Sequence, residues 1–330
     1  SRLQSEYKGY RHALQRSLSG WDRLDMLASR DAMADVGRNE KQASEMDRTA
    51  GLAGIVGAAT GRTEQGLRVL EEVAKFIQPT SAAEIESIRY GVYDSNAQLQ
   101  LSLHRDLDFL RRSQLYVLVD CQLPLPEFLD RVREISAAGA DILQVRDKDA
   151  DTKTLLEYTL AAMASLDPHQ TRLIVNDRVD VARIAAAWGV HVGQEDLSAP
   201  SARAILLSHQ IVGVSTHDLR QVQEAIAVRA DYIGCGPTFP SQTKAFSGFA
   251  GTEFLRQVAD YLTDHNNDLP AFAIGGIHQD NIDAVLNSGF SRVAVGSAIW
   301  RAPSPGTAAA ILRQVLDASR CGREGKESLH

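Results

Sequence analysis

Ile142-Leu143-Gln144-Val145-Arg146-Asp147-Lys148 is the stretch on which the reading of the chain turns. It begins apolar and ends in charge, and the side chains of a strand alternate faces with period two. Gln144, Arg146 and Lys148 therefore share a face, placing an amide and two cations at the carboxyl end of a buried strand. That is a socket for a polyanion. The plainer reading is a strand end with solvated charges, the ordinary fate of Arg and Lys. The segments on either side decide between the two.

From Ser113 onward, short apolar runs alternate with segments of helical length. Strands are predicted at Leu115–Val119, Ile142–Arg146, Leu173–Asn176, Val190–Val192, Ile211–Ser215, Tyr232–Gly236, Ala271–Ile274 and Arg292–Val295. Helices are predicted at Pro126–Ala138, Thr152–Leu166, Val179–Ala187, Ser201–Leu207, Asp218–Val228, Gly251–Thr263, Gln279–Ser288 and Thr307 to Ser319, with a frayed polar tail from Cys321. A strand–helix pair repeated through residues 113–330 predicts an α/β fold of the (β/α)8 TIM-barrel type. An open doubly wound sheet is the weaker alternative, because no GxGxxG turn follows the first strand.

Residues 1–112 read as an all-α N-terminal domain. Helical spacing is expected over Tyr7–Leu27 and again from Glu64, where Leu67, Leu70, Val73, Ala74 and Ile77 form one face. The polar segment Ser29–Asp47 reads as a loop. Pro79 ends one helix, and Ser81 with Glu84 forms a capping box that opens the next. Ile85, Ile88 and Val92 begin its apolar stripe, extended by Leu99, Leu103, Leu107 and Leu110. The charges in this domain have the pattern of a solvated face.

Bulk properties narrow the function. A 44% hydrophobic and 23% charged composition is that of an ordinary globular protein, and a net charge of −7 argues against nucleic-acid binding while permitting a local cationic pocket. No apolar run reaches membrane-spanning length, so no membrane partner is expected. Cys121, Cys235 and Cys321 are widely spaced and odd in number, which suggests reduced thiols in a cytoplasm. Ser1 is not an initiator Met, which leaves open whether the natural chain starts upstream.

In a barrel of this type, reactive groups belong at the carboxyl ends of the strands. Polar residues cluster there in nearly every case: Gln144, Arg146 and Lys148; Asn176-Asp177; Gly193-Gln194-Glu195-Asp196; Ser215-Thr216-His217; Gly236 to Lys244; Gly275-Gly276; and Gly296-Ser297. Two kinds of site separate. Gln144, Arg146, Lys148, Asn176, Asp177, Asp196 and Lys244 combine cations with carboxylates, and oxygen ligands beside cations suit Mg2+ bridging to a pyrophosphate. Arg146 can grip two phosphate oxygens at once, whereas Lys148 and Lys244 act as point charges. Gly275-Gly276 and Gly296-Ser297 offer backbone amides to a second phosphate. Two phosphate sites in one mouth imply two phosphorylated substrates being joined, or one bisphosphorylated substrate. The competing structural roles are a helix N-cap for Asp177, turn geometry for the glycines, a hydrogen-bonding His217 and an inert core Cys235. The Phe239–Gly251 loop, with Gly248 and Gly251 as hinges, is expected to close over the mouth.

The ordered motifs resemble thiamine phosphate synthase. The matching segments are Gln144-Val-Arg-Asp-Lys148, Asn176-Asp177, Gly193-Gln-Glu-Asp196, Gly213-Val-Ser-Thr-His217, Gly236 to Lys244 and Ile274 to Ile277. Departures from the family pattern are Asp147 for Glu, Ser241 for Thr, and Gly296 where the family often has Ser. The helical domain, with Gly66-Leu-Arg-Val-Leu-Glu-Glu72, resembles an N-terminal extension of some bacterial members. The resemblance implies that hydroxymethylpyrimidine pyrophosphate and thiazole phosphate condense to thiamine phosphate and pyrophosphate by a dissociative, Mg2+-assisted route. It implies that Gln144, Arg146, Lys148, Asn176, Ser215 and Lys244 hold the pyrophosphate, with Lys148, Arg146, Ser215 and Lys244 the catalytic set. Asp177 and Asp196 would ligate the metal, and Thr243, Gly276, Gly296 and Ser297 would hold the thiazole phosphate. Homo-oligomeric assembly is left open. The alternatives are a thiazole tautomerase-type isomerase using His217, and a non-catalytic phosphate-ligand sensor with the helical domain as its output.

Overall fold

The computed structural model describes residues 2–21, 51–104, 106–240 and 251–327. The chain forms two compact units, residues 1–106 and 107–330.

The first unit holds α1 (Arg2–Ser17), α2 (Gly51–Ile77) and α3 (Pro79–His104). Two expectations are corrected here. Helix α2 begins at Gly51 rather than near Glu64, because the glycines at 54, 57, 61 and 66 interrupt the apolar spacing without breaking the helix. Ser81 and Glu84 do not cap each other. Helix α3 already starts at Pro79, where the missing amide is harmless, and both side chains reach across to α1. Ser81 Oγ donates to the Ser17 carbonyl at 2.9 Å, and Ser17 Oγ donates to Glu84 Oε2 at 2.6 Å. Leu67, Ile88 and Val92 form one apolar cluster of this unit, and Ala74, Ala82 and Ile85 another. Arg89 Nε lies 2.6 Å from Glu71 Oε2, and both residues are buried. Residues 22–50, including the expected Ser29–Asp47 loop, lie outside the described residues.

The second unit begins with α4 (Leu107–Arg112). The division falls between Asp106 and Leu107 rather than after 112. Leu110, expected on the stripe of the preceding helix, instead lies inside the barrel cluster with Phe109.

The barrel strands are β1 (Leu115–Val119), β2 (Ile142–Val145), β3 (Arg172–Asn176), β4 (Gly189–Val192), β5 (Ile211–Thr216), β6 (Tyr232–Cys235), β7 (Ala271–Ile274) and β8 (Val293–Val295). Each pairs in parallel with the next, and β8 closes on β1. The helices between them are α5 (Leu125–Ala137), α6 (Thr152–Ser165), α7 (Val179–Ala185), α8 (Ala199–Ile205), α9 (Leu219–Ala227), α10 (Gly251–Asp264) and α11 (Ile282–Asn287). A short α12 (Ser297–Trp300) and a long α13 (Pro305–Glu327) follow β8. Helix α12 was not foreseen, being too short for any periodicity to show. Helix α13 continues past Ser319 to Glu327 because the expected tail contains no Pro and is rich in helix-tolerant Arg, Glu and Lys.

Alternation along the strands builds two cores. Val117, Leu143, Val175, Val190, Val212 and Val293 face outward and pack with helix residues such as Phe128, Val222 and Val258. Tyr116, Ile142, Ile174, Ile211, Tyr232 and Phe272 face inward and pack with Phe109, Leu110 and Trp188. Side chains of this size contribute about 1.5–3 kcal/mol each when fully buried. Apolar bulk thus fills the amino-terminal end of the barrel, where the Phe109 ring stands edge-on to Trp188 at 5.4 Å. The carboxyl end is left for polar groups.

Candidate active site

The strand ends surround a cavity of about 1180 Å³. From β2 it receives Gln144, Arg146 and Lys148, so the predicted shared face exists. Asn176 and Asp177 enter after β3, Asp196 after β4 and Ser215 from β5. Gly276, Gly296 and Ser297 line the opposite wall. Ser241, Thr243 and Lys244, with residues 241–250 of the loop expected to close the mouth, lie outside the described residues.

Asp177 is not a helix N-cap. Arg178 holds that position in α7 and makes no side-chain capping bond. Asp177 instead sits at φ 58°, a left-handed conformation that Asp tolerates better than most residues, with its amide bonded to the His191 carbonyl at 2.8 Å. This turn aims the carboxylate at Lys148 Nζ, 3.7 Å away, and into hydrogen-bonding reach of Asp196. Burial, then the neighbouring Asp196, pushes Asp177 up to about 6 against the opposing pull of Lys148 and Arg146. Asp196 is oriented by the Gly193 amide, which donates to its Oδ2 at 2.8 Å.

This donor set fits Mg2+. Two carboxylates held against each other leave excess negative charge that a divalent cation relieves, and all their donor atoms are hard oxygens. Among the described residues no group of three or more His, Cys, Asp or Glu is arranged to hold a metal ion by itself. Asp177 and Asp196 would therefore share the ion with water and ligand oxygens, as Mg2+ commonly requires.

On the far wall Gly276 has φ 65°, and a Cβ there would stand 2.5 Å from the Pro240 carbonyl oxygen. Only glycine serves where the backbone is both left-handed and this crowded. His217 turns its ring away from a free role, with Nδ1 2.5 Å from the Gly236 carbonyl oxygen. Cys235 is fully buried and burial pushes its thiol up to about 12, in keeping with inert core.

Some cavity residues were not singled out from the sequence. Arg301 lines the cavity and is braced by Asp120 Oδ2 at 2.6 Å and Gln122 Oε1 at 2.9 Å, a contact between distant segments that no local pattern encodes. His191 lies beneath Ser215, and its burial lowers it to about 4, keeping it neutral. Its place two residues before Gly193, on the inward face of β4, was the available signal.

Cations, carboxylates and glycine turns around the carboxyl mouth of a closed parallel barrel define a (β/α)8 enzyme suited to anionic ligands. Residues 115–299 match the thiamine monophosphate synthase family, and residues 1–98 match the ThiD2 family. The thiamine-phosphate synthase of Rhodopirellula baltica is 40% identical over 321 residues, covering 96% of this chain and 84% of that protein. The thiamine-phosphate synthase of Nostoc punctiforme is 35% identical over 292 residues, covering 88% of this chain and 80% of that protein. The structure of the thiamine phosphate pyrophosphorylase from Pyrococcus furiosus aligns with a TM-score of 0.56 and 34% identity, covering 64% of this chain and 98% of that one. The chain belongs to the thiamine-phosphate synthase family, a family of transferases.

Proposed function

We propose that residues 107–330 catalyse condensation of hydroxymethylpyrimidine pyrophosphate with thiazole phosphate, giving thiamine phosphate and pyrophosphate. The observation that carries this reading is the meeting of Arg146, Lys148, Asp177 and Asp196 at one side of a cavity whose other side is glycine backbone. A magnesium-bound diphosphate and a separate monophosphate need such a division. Arg146 and Lys148 take diphosphate oxygens, Gln144, Asn176 and Ser215 add hydrogen bonds, and Lys244 joins them. Thr243, Gly276, Gly296 and Ser297 hold the monophosphate. Mg2+, bound by Asp177 and Asp196, would supply charge neutralisation of the departing pyrophosphate. The pyrimidine methylene carbon loses pyrophosphate to leave a cation, and the thiazole ring nitrogen attacks that carbon. No side chain acts as nucleophile: orientation and stabilisation of the leaving polyanion lower the barrier.

The two separated anion sites favour this condensation over an isomerase, and the tether of His217 to a backbone carbonyl gives that side chain a structural task. The free, buried thiols of Cys121 and Cys235 support a cytoplasmic location for the enzyme. No helix among the described residues is long and apolar enough to cross a membrane. The test is an assay with both substrates and Mg2+. Thiamine phosphate and pyrophosphate formed in equal amounts support the reading. A protein that binds pyrophosphate and Mg2+ but forms no product would favour a ligand sensor instead.

A further inference from the structure

Under the cavity, side chains from five strands are joined end to end. The Gln144 Nε2 amide donates to the Tyr116 hydroxyl at 2.7 Å. The Tyr116 and Tyr232 hydroxyls are 3.1 Å apart, and the Tyr232 hydroxyl is 3.0 Å from His191 Nδ1. His191 Nε2 in turn lies 2.9 Å from Ser215 Oγ. Gln144, His191 and Ser215 border the cavity, whereas Tyr116 and Tyr232 are buried beneath it. The strand leaves deliberate room for this arrangement: a Cβ on Gly213 would stand 2.0 Å from the Tyr232 ring.

Proton counting gives the chain a direction. A tyrosine hydroxyl carries one proton, and the Tyr116 oxygen already accepts from Gln144. Among the described residues, its remaining hydrogen-bond partner is the Tyr232 oxygen, so the Tyr116 proton must go there or be buried unpaired. The Tyr232 proton then has His191 Nδ1 as its acceptor. A neutral imidazole that accepts at Nδ1 holds its own proton at Nε2 and donates it to Ser215 Oγ. The Ser215 proton is thereby released from the floor and faces the cavity. With the Gln144 amide nitrogen turned toward Tyr116, the reverse order would turn that proton down onto His191 and strand the proton of Tyr116.

We propose that Tyr116, Tyr232 and His191 are positioning residues, a one-way hydrogen-bond chain that holds the Ser215 hydroxyl as a donor to the anionic oxygens of a diphosphate in the cavity. This rests on the diphosphate reading of the cavity and adds to it groups that act through Ser215. Each link polarises the next, so the serine donates more strongly than an isolated hydroxyl would.

Two measurements test it. In 15N-histidine-labelled protein without ligand, NMR at neutral pH is expected to find His191 as the neutral Nε2–H tautomer. An Nδ1–H tautomer overturns the chain whatever the cavity binds. The second measurement is calorimetric titration with inorganic pyrophosphate and Mg2+. Tyr232→Phe and Ser215→Ala are each expected to weaken binding about tenfold, the scale of one lost hydrogen bond to a charged group. The double variant should bind no worse than Ser215→Ala alone, whereas a structural role for Tyr232 would make the losses multiply to about a hundredfold. Multiplied losses overturn the proposal. Tyr116→Phe must show the same coupling, and it replaces Tyr232→Phe if that variant does not fold. A wild type that shows the Nε2–H tautomer yet binds no pyrophosphate overturns the reading of the cavity, and with it the role given to the chain.

Discussion

Asp177→Asn should stabilise the metal-free protein while removing its response to Mg2+. In the fold, burial and the adjacent Asp196 raise Asp177 from 3.8 to about 6. The gap corresponds to about 3 kcal/mol between the two protonation states, and partial exposure reduces this to about 2 kcal/mol, since 22% of the side chain still meets solvent. Because the folded value lies above the unfolded one, the stability linked to this group is whole below pH 3.8 and lost as pH rises through about 6. At pH 8 the wild type bears the full cost, and the neutral amide does not. Asn also accepts the left-handed backbone at φ 58°, so the substitution adds no strain. About 2 kcal/mol raises the melting temperature of a barrel this size by roughly 4–8 °C. The assay is thermal denaturation at pH 8 with chelator and then with saturating Mg2+, which should stabilise the wild type by mass action and leave the variant unchanged. A variant that melts no higher than wild type in chelator, or that keeps the Mg2+ response, refutes the reasoning.

Three other substitutions address different links. Lys148→Ala removes a mostly exposed side chain near Asp177, so turnover should fall roughly 10²–10³-fold with the melting temperature little changed; near-wild-type product formation would exclude the lysine from the chemistry. Phe109→Ala opens a void at the closed end of the barrel, where the ring is only 2% exposed, and should destabilise by about 3–5 kcal/mol in chemical denaturation while KM for both substrates holds in the protein that remains folded. His217→Ala loses one bond to a backbone carbonyl, so synthase activity should stay within about tenfold of wild type; complete loss would revive an acid or base role for the ring.

Two local periodicities in the sequence, together with the polar residues that interrupt them, were enough to indicate the barrel and most of its mouth. The eight apolar runs became eight strands in the expected order, and Gln144, Arg146 and Lys148 share a face because period two is a property of the backbone itself. Asn176, Asp177, Asp196 and Ser215 followed because every parallel strand of such a barrel must end at the same rim. The end of the helical unit was misplaced because the apolar positions at 107 and 110 continue the preceding helical spacing, and spacing does not tell which core a side chain joins.

What only the tertiary structure decided are the relations between residues distant in the chain. Asp177 could equally have capped a helix, until a left-handed turn brought it to Asp196. Ser81 and Glu84 carry a capping-box pattern, yet both are claimed by Ser17, 64 and 67 residues away. Tyr116, Tyr232 and His191 read as ordinary strand residues, and their proton order exists only once the strands close and bring three hydroxyls and an imidazole into line. Local sequence dictates backbone conformation through short-range sterics and solvation. Charge pairing and proton direction depend on distances of about 3 Å across the barrel, which closure alone establishes.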